Sequence, residues 1–214
     1  MLLICHRAPP SESVCAQWAA AGATVFEVDV RAVHGELVVT HFLPFLTALP
    51  QLQHDGWAIR WQRLRHRDVA LTTALGYLPD GAEVLLDLKD ETARTAPVLT
   101  DLIGRSVPEP DRYYVSSKNP RSLAELRRKG FRTWRSVDTR RSLAAVLRAG
   151  AAADDAVTVR HTLLDPTVLA NLRQVSRQVI TWTVNDPVRA TNLAVLGVDG
   201  MVTDDTAVLR ALMS

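Results

Sequence analysis

The 214-residue chain is 47% hydrophobic and 22% charged, and its 25 Lys and Arg against 23 Asp and Glu leave a formal net charge of +2. Such a chain is long enough to bury a sizeable core, and its mild basicity is spread along its length, which argues against nucleic acid and is compatible with a small anionic substrate. Cys5 and Cys15 are too few for a disulfide framework and read as core residues, and no apolar run approaches membrane-spanning length.

Short apolar runs alternate with helical patterns from end to end. Strands are expected at 2–6, 25–30 with a return at 36–41, 83–89, 112–116, 132–137, 156–160, 178–184 and 199–203. Helices are expected between them, at 11–22, about 59–78, 91–104, 119–129, 139–149, 165–175, 186–196 and 204–213. Asn119-Pro120, Asp165-Pro166 and Asp186-Pro187 each supply an N-cap followed by proline at the first helical position. Gly22, Gly130, Gly150 and Gly197 fall where helices should stop. His34-Gly35 between two extended runs suits a hairpin rather than a crossover. Counting that hairpin with its strand gives eight β units, each followed by a helix, which implies a single-domain (β/α)8 TIM barrel over 1–214 with a hairpin after the second strand. An open doubly wound sheet is the alternative, but no Gly-x-Gly-x-x-Gly or P-loop pattern supports it.

In such a barrel the chemistry sits at the carboxyl ends of the strands. His6 and Arg7 end the first strand, Asp29 the second, and Lys89 the third with Asp87 two residues before it. Ser116 and Ser117 end the fourth, Arg160 and His161 the sixth, and Thr183 and Asn185 the seventh. Side chains alternate faces along a strand, so Glu27 and Asp29 point the same way, opposite to Phe26, Val28 and Val30. Two acids side by side among apolar residues are unfavourable unless a cation or a hydrogen-bond network compensates them. Lys89 either neutralises Asp87 or contacts a phosphate, and Trp182 either fills the core or lines a pocket.

These residues resemble the glycerophosphodiester phosphodiesterase family, in an order that covers nearly the whole chain. His6-Arg7-Ala8 is similar to its His-Arg-Gly, Glu27-Val-Asp29-Val30 to its Glu-x-Asp-Val, and Val38-Val-Thr-His41-Phe42 to its Val-Val-x-His-Asp. Asp87-Leu88-Lys89 resembles Glu-Ile-Lys and Ser116-Ser117-Lys118 resembles Ser-Ser-Phe. The closing Trp-Thr-Val-Asn and Gly-Val-Asp-Gly-Ile-Ile-Thr-Asp elements match Trp182–Asn185 and Gly197–Asp204. The resemblance implies that Glu27, Asp29 and Asp87 bind a divalent metal, Mg²⁺ or Ca²⁺, and that His6 and His41 form the general acid/base pair. It places Arg7 and Lys89 near the phosphate, with Trp182 as a further substrate-binding residue. The implied substrate is a small-molecule phosphodiester, cleaved to an alcohol and glycerol phosphate. The chain departs from the family pattern at Ala8, Ser11, Ser13, Phe42 and Asp87, the last a ligand one methylene shorter than glutamate.

Two other readings stand beside this one. A non-catalytic relative would bind a phosphorylated ligand or partner, and a lysophospholipase-D-like enzyme would take a lipid diester. Trp57, Trp61 and Leu64 at i, i+4, i+7, with Arg60, Arg63 and Arg67 on another face, fit either an interfacial helix on anionic lipid or, as expected here, a stripe docked on its own domain. With no basic and apolar leader ahead of the first strand, a cytoplasmic protein is expected.

Overall fold

The computed structural model describes residues 1–39, 69–89, 91–92, 94–150 and 153–213. Eight parallel strands close on themselves: β1 (Leu2–Cys5), β2 (Val25–Val33), β5 (Glu83–Leu88), β6 (Tyr113–Ser117), β7 (Arg132–Val137), β8 (Ala156–Arg160), β9 (Val179–Trp182) and β10 (Gly200–Thr203). Each is hydrogen-bonded to its neighbours in that order, and β10 returns to β1. Helices α1 (Glu12–Ala20), α3 (Thr95–Ser106), α4 (Pro120–Arg128), α5 (Arg140–Ala149), α6 (Pro166–Arg173), α7 (Pro187–Leu196) and α8 (Thr206–Met213) cover the outside. This is the expected (β/α)8 barrel.

One apolar cluster fills the barrel interior and draws one residue from each of the strands: Ile4, Val25, Leu85, Tyr114, Trp134, Ala156, Ile180 and Val202. The outward faces of the same strands bury Val28, Leu86 and Val115 on one side, and Val157, Val159 and Met201 on the other, against the helices. Strands buried on both faces explain why the sequence shows continuous apolar runs rather than alternation. Cys5 and Cys15 are free and buried, as expected.

The helix starts follow their local chemistry. Asn119 accepts from the Arg121 N–H at 3.0 Å, Asp165 from Val168 at 2.8 Å, and Asp186 from Val188 at 2.8 Å. Each cap is followed by proline, whose missing N–H is lost from a position that has no intrahelical partner.

The hairpin is also as expected. β3 (Glu36–Val39) runs antiparallel to β2, with Val33 facing Glu36 across His34-Gly35. Both turn residues have positive φ, 49° and 84°, the conformation of a two-residue turn whose twist matches its strands. The sequence reading fails next to it. Val69 and Ala70, expected inside a helix over 59–78, form β4 (Val69–Ala70), which pairs antiparallel with Val39 and Val38. A short α2 (Leu71–Leu75) follows. Pairing satisfies backbone groups that the edge of β3 would otherwise leave open, a long-range demand that helical periodicity does not register. The stripe of Trp57, Trp61 and Leu64 lies outside the described residues. Among those described, no helix is long and apolar enough to cross a membrane.

Candidate active site

Strand register alone assembles most of the site. Cys5 pairs with Phe26 on one side and Thr203 on the other, so the next residues, His6, Glu27 and Asp204, come together at one end of the barrel. Asp29 is in register with Asp87, and Asp87 with Ser116. The sequence-predicted residues His6, Arg7, Glu27, Asp87, Lys89 and Trp182 all line one cavity of about 1240 Å³ at the carboxyl ends of the strands. Asp29 joins them through ion pairs with Lys89 at 2.9 Å and Arg7 at 3.6 Å. His41 lies outside the described residues.

Glu27, Asp29 and Asp87 bring carboxylate oxygens to within 4.8 Å of one another. Glu27 and Asp29 are only 3% and 4% exposed. Burial and the Asp29 charge push the Glu27 carboxyl up to about 8, with Asp87 adding and His6 and Lys89 opposing. Asp29 goes the other way: burial would raise it, but the Lys89 ammonium, with Arg7 and His6, holds it below the usual carboxylate range. Lys89 itself is raised, because Asp87, Asp29 and Glu27 outweigh its own desolvation. Three hard oxygen donors clustered on one cavity are the ligand type that suits Mg²⁺ or Ca²⁺. The substitution of aspartate for glutamate at position 87 does not disperse the cluster. The Ser116 hydroxyl donates to Asp87 Oδ1 at 2.7 Å, and Lys89 Nζ bonds its other oxygen.

Arg7 carries the strained backbone of the site. Its φ of 52° is left-handed, and the conformation aims its N–H at Glu27 Oε2, 2.7 Å away. The Ala8 N–H then binds the Glu27 carbonyl at 2.7 Å. The left-handed residue is therefore Arg7, which is why alanine fits where the resembled family has glycine.

Sequence reasoning missed Asp204 as a site residue. Its Oδ1 lies 2.6 Å from His6 Nδ1, and Asn185 Nδ2 donates to its Oδ2 at 3.0 Å. Asn185 Oδ1 in turn accepts from the Asp204 N–H at 2.9 Å and the Thr203 hydroxyl at 3.1 Å. The carboxylate acceptor keeps a proton on Nδ1 and directs Nε2 toward Glu27, 3.9 Å away. Burial would lower the His6 pKa, but the Asp204 hydrogen bond and the Glu27 and Asp204 charges raise it. Burial likewise opposes ionisation of Asp204, and the bond and charge of His6 win, holding it low. The signal was present in the sequence, since Asp204 directly follows the eighth barrel strand. Trp182 is half-buried at the rim, with the Arg160 guanidinium 5.6 Å from its ring centroid.

A protein-family model described as the glycerophosphoryl diester phosphodiesterase family matches residues 86–208. No curated protein matches the chain by sequence. Among solved structures, a Silicibacter pomeroyi protein assigned as a glycerophosphoryl diester phosphodiesterase superposes with a TM-score of 0.73 at 21% identity, covering 100% of this chain and 93% of that one. An Oleispira antarctica phosphodiesterase in complex with the product sn-glycerol-3-phosphate gives 0.71 at 17% identity, covering 100% and 97%. The Thermotoga maritima glycerophosphodiester phosphodiesterase gives 0.68 at 18%, covering 100% and 97%.

Proposed function

Because the chain belongs to the glycerophosphoryl diester phosphodiesterase family, we propose that it hydrolyses a water-soluble glycerophosphodiester to an alcohol and glycerol phosphate with the help of a divalent cation. The observation that carries this reading is the convergence of an imidazole, three clustered carboxylates and a half-buried lysine on one cavity at the carboxyl ends of the barrel strands.

Glu27, Asp29 and Asp87 would hold Mg²⁺ or Ca²⁺, which supplies positive charge to the phosphoryl oxygens and to the charge that develops on them. Arg7 and Lys89 add fixed positive charge beside that position and orient the diester. His6, with Nδ1 committed to Asp204, exchanges a proton with the substrate through Nε2. The second proton transfer falls to His41 on the strength of its motif. Trp182 offers an apolar wall for the organic part of the substrate.

Incubating the protein with a panel of glycerophosphodiesters and lysophospholipids, with Mg²⁺, Ca²⁺ or chelator, tests the reading. Metal-dependent release of glycerol phosphate from deacylated diesters is expected. Turnover confined to lysophospholipids would move the substrate to the lipid class, and a folded protein that binds metal and phosphate esters without turnover would be a ligand-binding relative.

A further inference from the structure

Every second residue of a barrel strand keeps facing the axis, so counting outward from the interior cluster gives the cavity its successive layers. One step beyond Val25, Leu85, Tyr114, Trp134 and Ala156 stand Glu27, Asp87, Ser116, Ser136 and Thr158, which line the cavity. A second step reaches the mouth, at Asp29 in β2, Arg160 at the end of β8, and Lys89, Lys118 and Asp138 directly after β5, β6 and β7. Four of these five charges cancel in pairs. Lys89 Nζ lies 2.9 Å from Asp29, and Lys118 Nζ lies 2.5 Å from Asp138. Arg160 has no carboxylate within ion-pair distance among the described residues. The acids that follow it, Asp165 and Asp186, accept from backbone N–H groups as the caps of α6 and α7. A positive charge is left over on this side of the mouth.

The position of that charge is fixed by its neighbours. Arg160 is in register with Trp182 on β9, and its guanidinium lies over the indole, 5.6 Å from the ring centroid. Trp182 lines the cavity, so the guanidinium is drawn toward the opening rather than away from the barrel. The backbone behind it is braced. Arg189 donates to the carbonyl of His161 at 2.9 Å and to that of Leu164 at 3.1 Å, the two ends of the short turn that follows β8. Burial, with the charges of Arg189 and Arg160, holds the His161 imidazole below its usual range, as a locally positive field requires.

The pairing of guanidinium and indole selects the kind of ligand. A tryptophan at the rim of a cavity ordinarily attracts a quaternary ammonium through the face of its ring. With a guanidinium already over that ring, a second cation is repelled. A carboxylate or phosphate instead takes paired N–H bonds from the planar fork, while the carbon chain that carries it lies against the indole.

We infer that Arg160, held over Trp182, receives a negatively charged group on the alcohol arm of the diester. The protein would then prefer diesters whose alcohol carries a further carboxylate or phosphate to those that carry a quaternary ammonium. The inference rests on the phosphodiester reading for the place of the reacting phosphate, and it names the class of alcohol that the same cavity takes.

Isothermal calorimetry with Mg²⁺ reads the preference in either case, as a rate where a diester is cleaved and as a dissociation constant where it is only bound. Diesters of glycerol phosphate with glycerol, choline, glycerate and glycerol phosphate supply a neutral, a cationic, a carboxylate and a phosphate arm. Wild type is expected to favour the two anionic arms over choline. Arg160→Gln should lose about fivefold on an anionic arm, the upper end for one ion pair at a solvent-accessible mouth. It should gain on choline and change less on the neutral arm. Arg160→Glu should reverse the order of anionic and choline arms, and Arg160→Lys should keep the order with a smaller margin. A loss confined to the carboxylate or to the phosphate arm would support the inference and identify the anion. Equal change on all four diesters, no change on any, a wild-type preference for choline, or neither binding nor turnover of the anionic arms would each overturn it. A protein that binds the panel in the expected order but cleaves none would keep the role of Arg160 and lose the phosphodiesterase reading. One that cleaves all four alike would do the reverse.

Discussion

At the scale of single residues, Asp204 lies 198 positions from His6 in the chain, yet it is the group that directs the imidazole. Removing it should leave the metal ligands intact while freeing His6 to turn and to change tautomer. Asp204→Ala is expected to lower kcat on a glycerophosphodiester by roughly 10²-fold, the lower end of what general acid–base catalysis contributes. Divalent-ion affinity measured by calorimetry should stay within a few-fold of wild type. Glu27 permits a second test. Its carboxyl is raised from 4.5 to about 8 when no metal is bound, so near pH 7 it holds a proton that an unfolded glutamate has already lost. Native protein thus binds more protons than unfolded protein across that interval, and the metal-free form is expected to lose stability as pH rises from about 4.5 toward about 8. Metal binding at pH 7 should release about one proton, and affinity should rise about tenfold per pH unit below the raised value. Titrations in buffers of different ionisation enthalpy would show both, and Glu27→Gln should abolish the release. Glu27, Asp29, Asp87 and Lys89 were legible because two-residue spacing within a strand fixes which side chains share a face. Asp204 was not legible as a site residue, because its contact with His6 depends on barrel closure.

Elements begin and end where short-range chemistry says they should, and this part of the fold was readable residue by residue. The Asx-Pro starts of α4, α6 and α7 and the His34-Gly35 turn each act within a few residues. Asp186 caps α7 through the N–H groups of both Val188 and Arg189. Asp186→Ala should cost about 1 kcal/mol, and in a domain of this size about 2–4 °C in thermal midpoint, measurable by calorimetry. A smaller shift would mean that the Pro187 start and the packing of α7 suffice. β4 shows the limit of local reading. Val69 and Ala70 carry an apolar pattern that suits either a helix or a strand, and the decision rests with the open edge of β3, thirty residues earlier.

For the whole molecule, register is what turns a list of polar strand ends into a site. A slip by one residue between β1 and β2 or between β1 and β10 would remove His6 from Glu27 or from Asp204. The interior cluster with one residue from every barrel strand resists such a slip, since each side chain packs against several strands at once. Trp134 is the largest of these and fully buried. Trp134→Ala should destabilise by about 3–5 kcal/mol in urea unfolding, and a surviving fold should show weakened metal binding, because the strands that carry the ligands would be held less firmly. The alternation of β and α units made the closed barrel visible from sequence. The interior layer was not visible, because strands buried on both faces do not announce which residue points inward.

The most direct test of the account is the release of glycerol phosphate from glycerophosphoglycerol by wild type and by Glu27→Gln, each with Mg²⁺, with Ca²⁺ and with chelator. The expected result is turnover by wild type that chelator abolishes and either ion restores, and loss of at least about 10²-fold in the variant under every condition. Turnover that persists in chelator, or a Glu27→Gln variant as active as wild type, would contradict a reaction built on the Glu27, Asp29 and Asp87 cluster.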